Sequence, residues 1–401
     1  MFPKFISTTV YWNSEPWLYI FSFLLKNQEK KINFLQKKIS HYLNSSDFLP
    51  TNTGSTAIKL ALKAFKQLFP PKKEVILPIY ICPSVVKAII QVGLLPKFIG
   101  IERNLNLSIS DLKYNLNQNI LAVIIPHIYG YPAPIREAIN IIKDYEKSIF
   151  MIDDAASAFG IKKNKKFLGT FGDVGIISFT QAKMLTSSWG GGLIVNNQLL
   201  LPILNKIYER FKKYKKMEKL KEFINFFWLY KLRRYSEIID WGFQKTFGKS
   251  LGCAPKTLKE ERKMSELDAM IILDQISKID LIHKKRQKIM SFYMKELSRI
   301  PQISFPQPNA PLYHVSRFCI LTNGFSVKRK NKKIFSHNPL VYFLRKRGIR
   351  AEYGYYPFNY FNLTKWEEIK WIESLVVLPI DLTKTVEEHK FVTNNIKKFF
   401  S

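Results

Sequence analysis

The chain has 401 residues, 46% hydrophobic and 14% aromatic, and carries 63 Lys and Arg against 31 Asp and Glu, a net charge of +32. This composition supports a large core, suits a two-domain globular protein and excludes a disordered chain; its longest apolar runs are strand-sized, short of the roughly 20 residues that cross a bilayer. Three distant cysteines (Cys82, Cys253, Cys319) and six scattered histidines offer no disulfide framework and no zinc pattern, and the N-terminus lacks a secretory signature, so a reducing cytoplasm is expected.

In chain order, NQEKKINFLQKKISHYL (27–43) places Ile32, Leu35, Ile39 and Leu43 at helical spacing, and TAIKLALKAFKQL (56–68) does the same. Strand and helix signals then alternate. EVILPIY (74–80) reads as a strand, PSVVKAIIQVG (83–93) as a helix and PKFIGI (96–101) as a strand. ILAVIIPHIYG (120–130) is a strand, PIREAINIIKDYE (134–146) a helix and SIFMID (148–153) a strand, followed by IISF (176–179) and GLIV (192–195). Apolar strands alternating with helices of this length predict an α/β domain with a largely parallel sheet. Ligands of such sheets sit at the carboxyl ends of the strands.

Residues 203–296 read as mainly helical and end in one long amphipathic pattern over 264–297. Within them, KIYERFKKYKKMEKLKEFINFFWLYKLRR (206–234) mixes lysines with aromatics. It fits a solvated helical insertion with its aromatics turned inward, and the alternative is a helix with weak affinity for a membrane surface. Beyond about 300, HVSRFCIL (314–321) and SLVVLPI (374–380) read as strands, and VYFLRKRG (341–348) and KFVTNNIKKFF (390–400) as helices. The expected organisation is a large domain over 1–260, with a basic insertion at about 203–258, then a linking helix and a smaller α+β domain over 261–401. Lysines are spread along the whole chain and no nucleic-acid motif accompanies them, so no specific nucleic-acid partner is expected.

Three places at strand ends hold chemistry-bearing residues. TNTGST (51–56) puts backbone N–H groups and hydroxyls at a helix start, an anion site by its nature, although an ordinary helix cap has the same residues. MIDDAASAFG (151–160) ends a strand on Asp153 and Asp154; such a carboxylate holds a metal, a protonated ring nitrogen or a helix start, and no second acidic strand end favours the metal. IISFTQAKMLTSSWGGGLIV (176–195) sets Lys183 five positions after Ser178 and ahead of Gly190, Gly191 and Gly192, which leave room for a flat group. A lysine held in a partly dry pocket is a nucleophile; on the surface it is one more loop charge. Phosphate cradle, carboxylate and lysine together meet the needs of pyridoxal phosphate.

The ordered set of motifs resembles the DegT/DnrJ/EryC1/StrS family of sugar aminotransferases. TGSTAIKLAL (53–62) is similar to the family's S-G-T-x-A-L helix start, and EVILPIYICPSVVKAIIQVGLLPKFIGI (74–101) to its strand–helix–strand unit with a P-x-Y-x-C-P-S core. IIPHIYGYP (124–132), MIDDAASAFG, SFTQAK (178–183), KMSELDAMIILDQISKID (263–280) and LPI (378–380) match further motifs in order, so the likeness covers most of the chain. It implies the aspartate-aminotransferase fold, pyridoxal-phosphate fold type I: a large mixed-sheet α/β domain with a smaller C-terminal α+β domain. It also implies Lys183 as the Schiff-base lysine and proton shuttle, Asp154 as partner of the pyridine nitrogen, and Ser178, Gly54 and Ser55 as phosphate ligands.

The implied reaction moves an amino group from an amino acid, expected to be glutamate, to a nucleotide-linked keto-sugar for surface-glycan precursors. A homodimer is implied too. Related dehydratases carry His at the lysine position, so Lys183 favours transamination over dehydration; Lys183 and Asp154 together count against a non-catalytic binding role, and a different keto substrate is the alternative. Departures from the pattern cluster around the expected ring. Cys82 stands where the family stacks an aromatic, with Tyr80 the nearby candidate to replace it. Ser157 stands where Gln or His contacts the ring, and Trp189 where a T-G-E-G-G loop has Glu. Glu261 stands near the partner subunit's phosphate-binding Asn, with Arg262 or Lys263 as compensating cations.

Overall fold

The computed structural model describes residues 5, 16–25, 29–45, 47–227, 260–307, 315–323, 338–355 and 370–401. In chain order the first half holds α1 (Pro16–Leu25), α2 (Glu29–Leu43), β1 (Asp47–Thr51), α3 (Gly54–Leu68), β2 (Glu74–Pro78), α4 (Pro83–Gln91), β3 (Leu95–Ile99), α5 (Ile109–Asn115), β4 (Ile120–Pro126), α6 (Ile135–Tyr145) and β5 (Phe150–Asp154). The hairpin β6–β7 (Lys162–Lys163, Lys166–Phe167), β8 (Val174–Ser178), β9 (Gly191–Val195) and α7 (Leu201–Tyr208) follow.

One seven-stranded sheet has the order β1-β9-β8-β5-β4-β2-β3. Strands β8, β5, β4, β2 and β3 run parallel, and β9 is antiparallel to both its neighbours, β1 and β8. The strands alternate in what they face. Val75, Leu77, Ile124, Ile152 and Ile176 pack with α3, α4 and α7, while Ile76, Val123, Ile125 and Met151 pack with α5 and α6. Helices on both faces explain why these strands read as continuous apolar runs. Strand β1 was not foreseen, because Pro50 interrupts it; it is an edge strand, the one place where the ladder tolerates a proline.

After α7 a helix occupies 216–227 (α8). Its Phe223 and Phe226 bury against Tyr19 and Phe23 of α1 and against Leu267 and Ile271. The aromatics of the basic stretch therefore turn inward as far as residue 227, and its remainder, 228–234, lies outside the described residues, as does the end of the insertion and Cys253. No helix among the described residues is long and apolar enough to cross a membrane. The long pattern over 264–297 divides into α9 (Glu266–Ile276) and α10 (Ile279–Leu297), with Lys278 leaving helical geometry at φ −120°. The C-terminal part holds β10 (Ile303–Ser304), β11 (Phe318–Thr322), α11 (Pro339–Lys346), β12 (Glu352–Tyr353), β13 (Leu375–Leu378) and α12 (Lys390–Phe400). Its antiparallel sheet has the order β10-β11-β13-β12. The large mixed sheet and the smaller C-terminal α+β sheet are those of the expected fold class.

Candidate active site

Helix α3 starts where the phosphate cradle was expected. Thr53 is its N-cap, with its hydroxyl accepting from Thr56 N at 3.0 Å. A helix start leaves backbone N–H groups without intrahelical acceptors, and the axial dipole adds positive potential there. The start of α3 is wedged against the sheet: a Cβ on Gly54 would meet Ser178 Cβ at 3.2 Å. Gly191 is packed more tightly, its imagined Cβ lying 2.5 Å from Gly54 N and 2.8 Å from Ile177 O. Gly190 has φ +148° and Gly192 abuts the Phe48 ring. The glycine run thus serves the junction of β1, β9 and α3, and the room it was expected to leave for a flat group is taken up by backbone and by Phe48.

A cavity of about 370 Å³ opens at the carboxyl ends of β5 and β8, within the range of small-molecule sites. Thr53, Gly54, Ser55, Cys82, Asp154, Ser157, Ser178, Lys183 and Trp189 all line it. Of the eight residues expected around the cofactor (Lys183, Asp154, Ser178, Gly54, Ser55, Ser157, Cys82 and Tyr80), the structure gathers seven. The eighth, Tyr80, lies behind the wall: its hydroxyl accepts from Tyr355 N at 3.0 Å and pairs with Tyr129 Oη at 2.9 Å. Tyr355, which does line the cavity, carries the exposed face of this aromatic group.

Lys183 Nζ donates to Ser157 Oγ at 2.8 Å. Burial lowers its pKa from the ordinary lysine value; Cys82 and Asp154 oppose that, and the cation of Arg317 adds to it. The preceding residue, Ala182, has φ +67°, a left-handed conformation unusual for alanine, which bends the loop just before the lysine. Asp154 is 7% exposed, and its Oδ1 accepts from Ala156 N at 3.0 Å. Burial raises its pKa, with the Ala156 N–H, Lys183 and His127 pulling the other way.

Asp153 has a different task. Its Oδ2 accepts from Gly169 N and Phe171 N at 2.8 and 2.9 Å, and its Oδ1 lies 2.7 Å from His127 Nε2. Because His127 Nδ1 accepts from Ala133 N at 2.9 Å, its proton sits on Nε2 and is donated to Asp153. Glu261 is paired within its own chain, with Lys63 at 2.6 Å and Lys59 at 3.2 Å. Burial pushes its pKa up, but Lys63 and Lys59 outweigh that and hold it low. Arg262 pairs with Glu218 and Glu260, and Lys263 lies 4.8 Å over the Tyr208 ring, so neither cation reaches the cavity in this chain.

Tyr355, His127 and Thr180 line the cavity without having been singled out. Thr180 stands inside the quoted SFTQAK, and His127 inside IIPHIYGYP, so a polar side chain just past a strand was the available signal. Tyr355 had none, being brought in from the C-terminal part of the chain.

The donor set fits pyridoxal 5′-phosphate. A cradle with no room for a Cβ at Gly191 offers N–H groups, a buried carboxylate has no cation at contact distance among the described residues, and an amine of lowered pKa lies in the same cavity. Residues 24–371 match the model of the DegT/DnrJ/EryC1/StrS aminotransferase family. The GDP-perosamine synthase of Vibrio cholerae is 24% identical over 339 residues, which span 83% of this chain and 78% of that protein. Among solved structures, Helicobacter pylori PseC, an aminotransferase involved in the biosynthesis of pseudoaminic acid, superposes with a TM-score of 0.77 at 17% identity, covering 99% of both chains. The Escherichia coli GDP-4-keto-6-deoxy-D-mannose-3-dehydratase with bound hydrated PLP does so at 0.71 and 17%, covering 98% of this chain and all of that one. With its fold, its cavity and most of its length in agreement, the chain belongs to the DegT/DnrJ/EryC1/StrS aminotransferase family and is a pyridoxal-phosphate-dependent enzyme.

Proposed function

We propose that this aminotransferase moves an amino group from an amino-acid donor, glutamate being the expected one, to a keto-sugar linked to a nucleotide, and that it works in the cytoplasm as a homodimer. The observation that carries the reading is the meeting of Lys183, Asp154 and the α3 cradle in one cavity. The name of the Vibrio cholerae relative supports a nucleotide-sugar substrate, and the net charge of +32 suits an anionic one.

When bound, pyridoxal phosphate supplies an electron sink for the substrate's carbanion. Gly54 and Ser55 hold its phosphate through the N–H groups of the α3 start, together with the Ser178 hydroxyl. Asp154, whose buried charge is costly without a partner, is the counter-ion for a protonated ring nitrogen. Lys183 is the attachment point and afterwards the proton carrier: its lowered pKa leaves Nζ able to take a proton from the donor's α-carbon and return one to the sugar carbon. Ser157 Oγ, 2.8 Å from that Nζ, orients it. Cys82, Trp189 and Tyr355 supply walls with little polarity that keep water from the reacting atoms.

Borohydride reduction of the cofactor-loaded protein followed by peptide mass spectrometry is expected to place a pyridoxyl group on Lys183, and Lys183→Ala to lose both the adduct and the yellow colour. Absence of the adduct after incubation with added cofactor would overturn the site assignment. Incubation with glutamate and GDP-4-keto-6-deoxy-D-mannose tests the substrate class by the appearance of an amino-sugar; no amino-sugar from any nucleotide-linked keto-sugar with any donor counts against it. Sedimentation at the mass of one chain counts against the dimer.

A further inference from the structure

Lys219 lies in the basic stretch that reads as a solvated helix face, yet it is fully buried. Its ammonium pairs with Glu222 at 2.6 Å and with Asp268, which is 1% exposed. Burial pulls the Lys219 pKa down, but Asp268 and Glu222 outweigh it and hold it above the ordinary lysine value. Asp268 sits in the first turn of α9. Its Oδ1 accepts from Ser188 Oγ at 2.7 Å and from Trp189 N at 3.2 Å, and its Oδ2 from Ser265 Oγ at 2.7 Å. About two turns further along α9 than Asp268, Gln275 grips the same loop, accepting from Thr186 N at 2.9 Å and donating to Thr186 O at 2.7 Å. The loop that ends on the cavity-lining Trp189 is therefore pinned to α9 at two points. One pin is a buried carboxylate in a salt bridge with a lysine of the insertion. Hydrogen bonds to an ionised acceptor are about twice as strong as neutral ones, and a buried carboxylate keeps its charge only beside a cation.

We propose that Lys219 is a positioning residue for the active site: through Asp268 it fixes the Ser188–Trp189 wall of the cavity, which makes the basic insertion a working part of the site. This rests on the reading that the cavity takes pyridoxal phosphate.

The test is the affinity for pyridoxal 5′-phosphate alone, titrated by absorbance, in wild type, Lys219→Met, Trp189→Ala and the double variant. Lys219→Met is expected to weaken binding about tenfold, the worth of one hydrogen bond to a charged group. In the Trp189→Ala background the same change is expected to do nothing further, since the lysine acts through that wall. A Lys219→Met protein that binds like wild type, or a loss that adds in full to that of Trp189→Ala, overturns the proposal. Should Lys219→Met fail to fold, Lys219→Met/Asp268→Leu replaces the buried pair with apolar side chains, an exchange that tends to preserve stability. Unchanged affinity in that protein overturns the proposal, and a tenfold loss supports it. A wild-type chain that takes up no cofactor overturns the functional reading as well, so the two failures are distinguishable.

Discussion

Consecutive side chains of an extended strand point to opposite faces, so Asp153 and Asp154 at the end of β5 meet different surroundings. Asp153 satisfies two backbone N–H groups and His127 inside the fold, whereas Asp154 faces the cavity. Replacing each separates the roles. Asp154→Asn mimics the neutral form that burial already favours, so its melting temperature is expected to stay at or slightly above that of wild type, while turnover drops by about a hundredfold or more. Asp153→Ala strands His127 and two buried donors and is expected to cost about 3–5 kcal/mol in urea unfolding. The reverse pattern would exchange the two assignments. Lys183 and Asp154 were legible because strand ends are legible: an apolar run stops and a polar residue follows. Tyr355 was not, since 172 positions separate it from Lys183 (355 − 183) and its place follows from Tyr80 and Tyr129 holding it from behind.

At the scale of elements, the cradle depends on how closely α3, β8 and β9 approach. Gly191 is the point of contact that bridges the N-terminus of α3 to the end of β8. Gly191→Ala forces backbone atoms apart and is expected to cost about 1–3 kcal/mol, as overpacking does. It is also expected to weaken cofactor affinity, because the displaced atom is Gly54 N. Wild-type affinity in a folded Gly191→Ala protein would show that the cradle tolerates the shift. Parallel strands and amphipathic helices were readable from periodicity. The break between α9 and α10 was not, for no Gly or Pro marks it; Ile276, Ile279 and Ile282 are buried on both sides of it, so packing sets the change of direction.

For the whole molecule, the C-terminal segment closes the largest core through His389. Its ring packs against Phe5 and Tyr293, its Nδ1–H donates to Thr385 O at 2.6 Å, and its buried Nε2 has no hydrogen-bond partner among the described residues. Burial lowers its pKa; the Thr385 carbonyl, Asp381 and Glu388 push the other way, and Lys384 adds to the lowering. A folded-state pKa below the unfolded value of about 6.5 means that the unfolded chain binds the extra proton first. Stability is then fully present above about pH 6.5 and is lost as pH falls from there through the folded pKa. Melting temperatures are expected to decline from pH 7 toward pH 5 in wild type and to decline less in His389→Gln; equal slopes would remove His389 from the account.

The order of strands in the large sheet has a consequence for how the protein is made. Thr51 pairs with Gly191, so 140 positions (191 − 51) separate the two partners that bring the start of α3 against the end of β8. Loop closure over such a span has to precede the contacts that reward it, which slows folding. A nascent chain that has not yet emitted β9 owns both halves of the cradle and cannot join them. Cofactor capture therefore cannot precede the synthesis of β9, the strand that finishes the sheet.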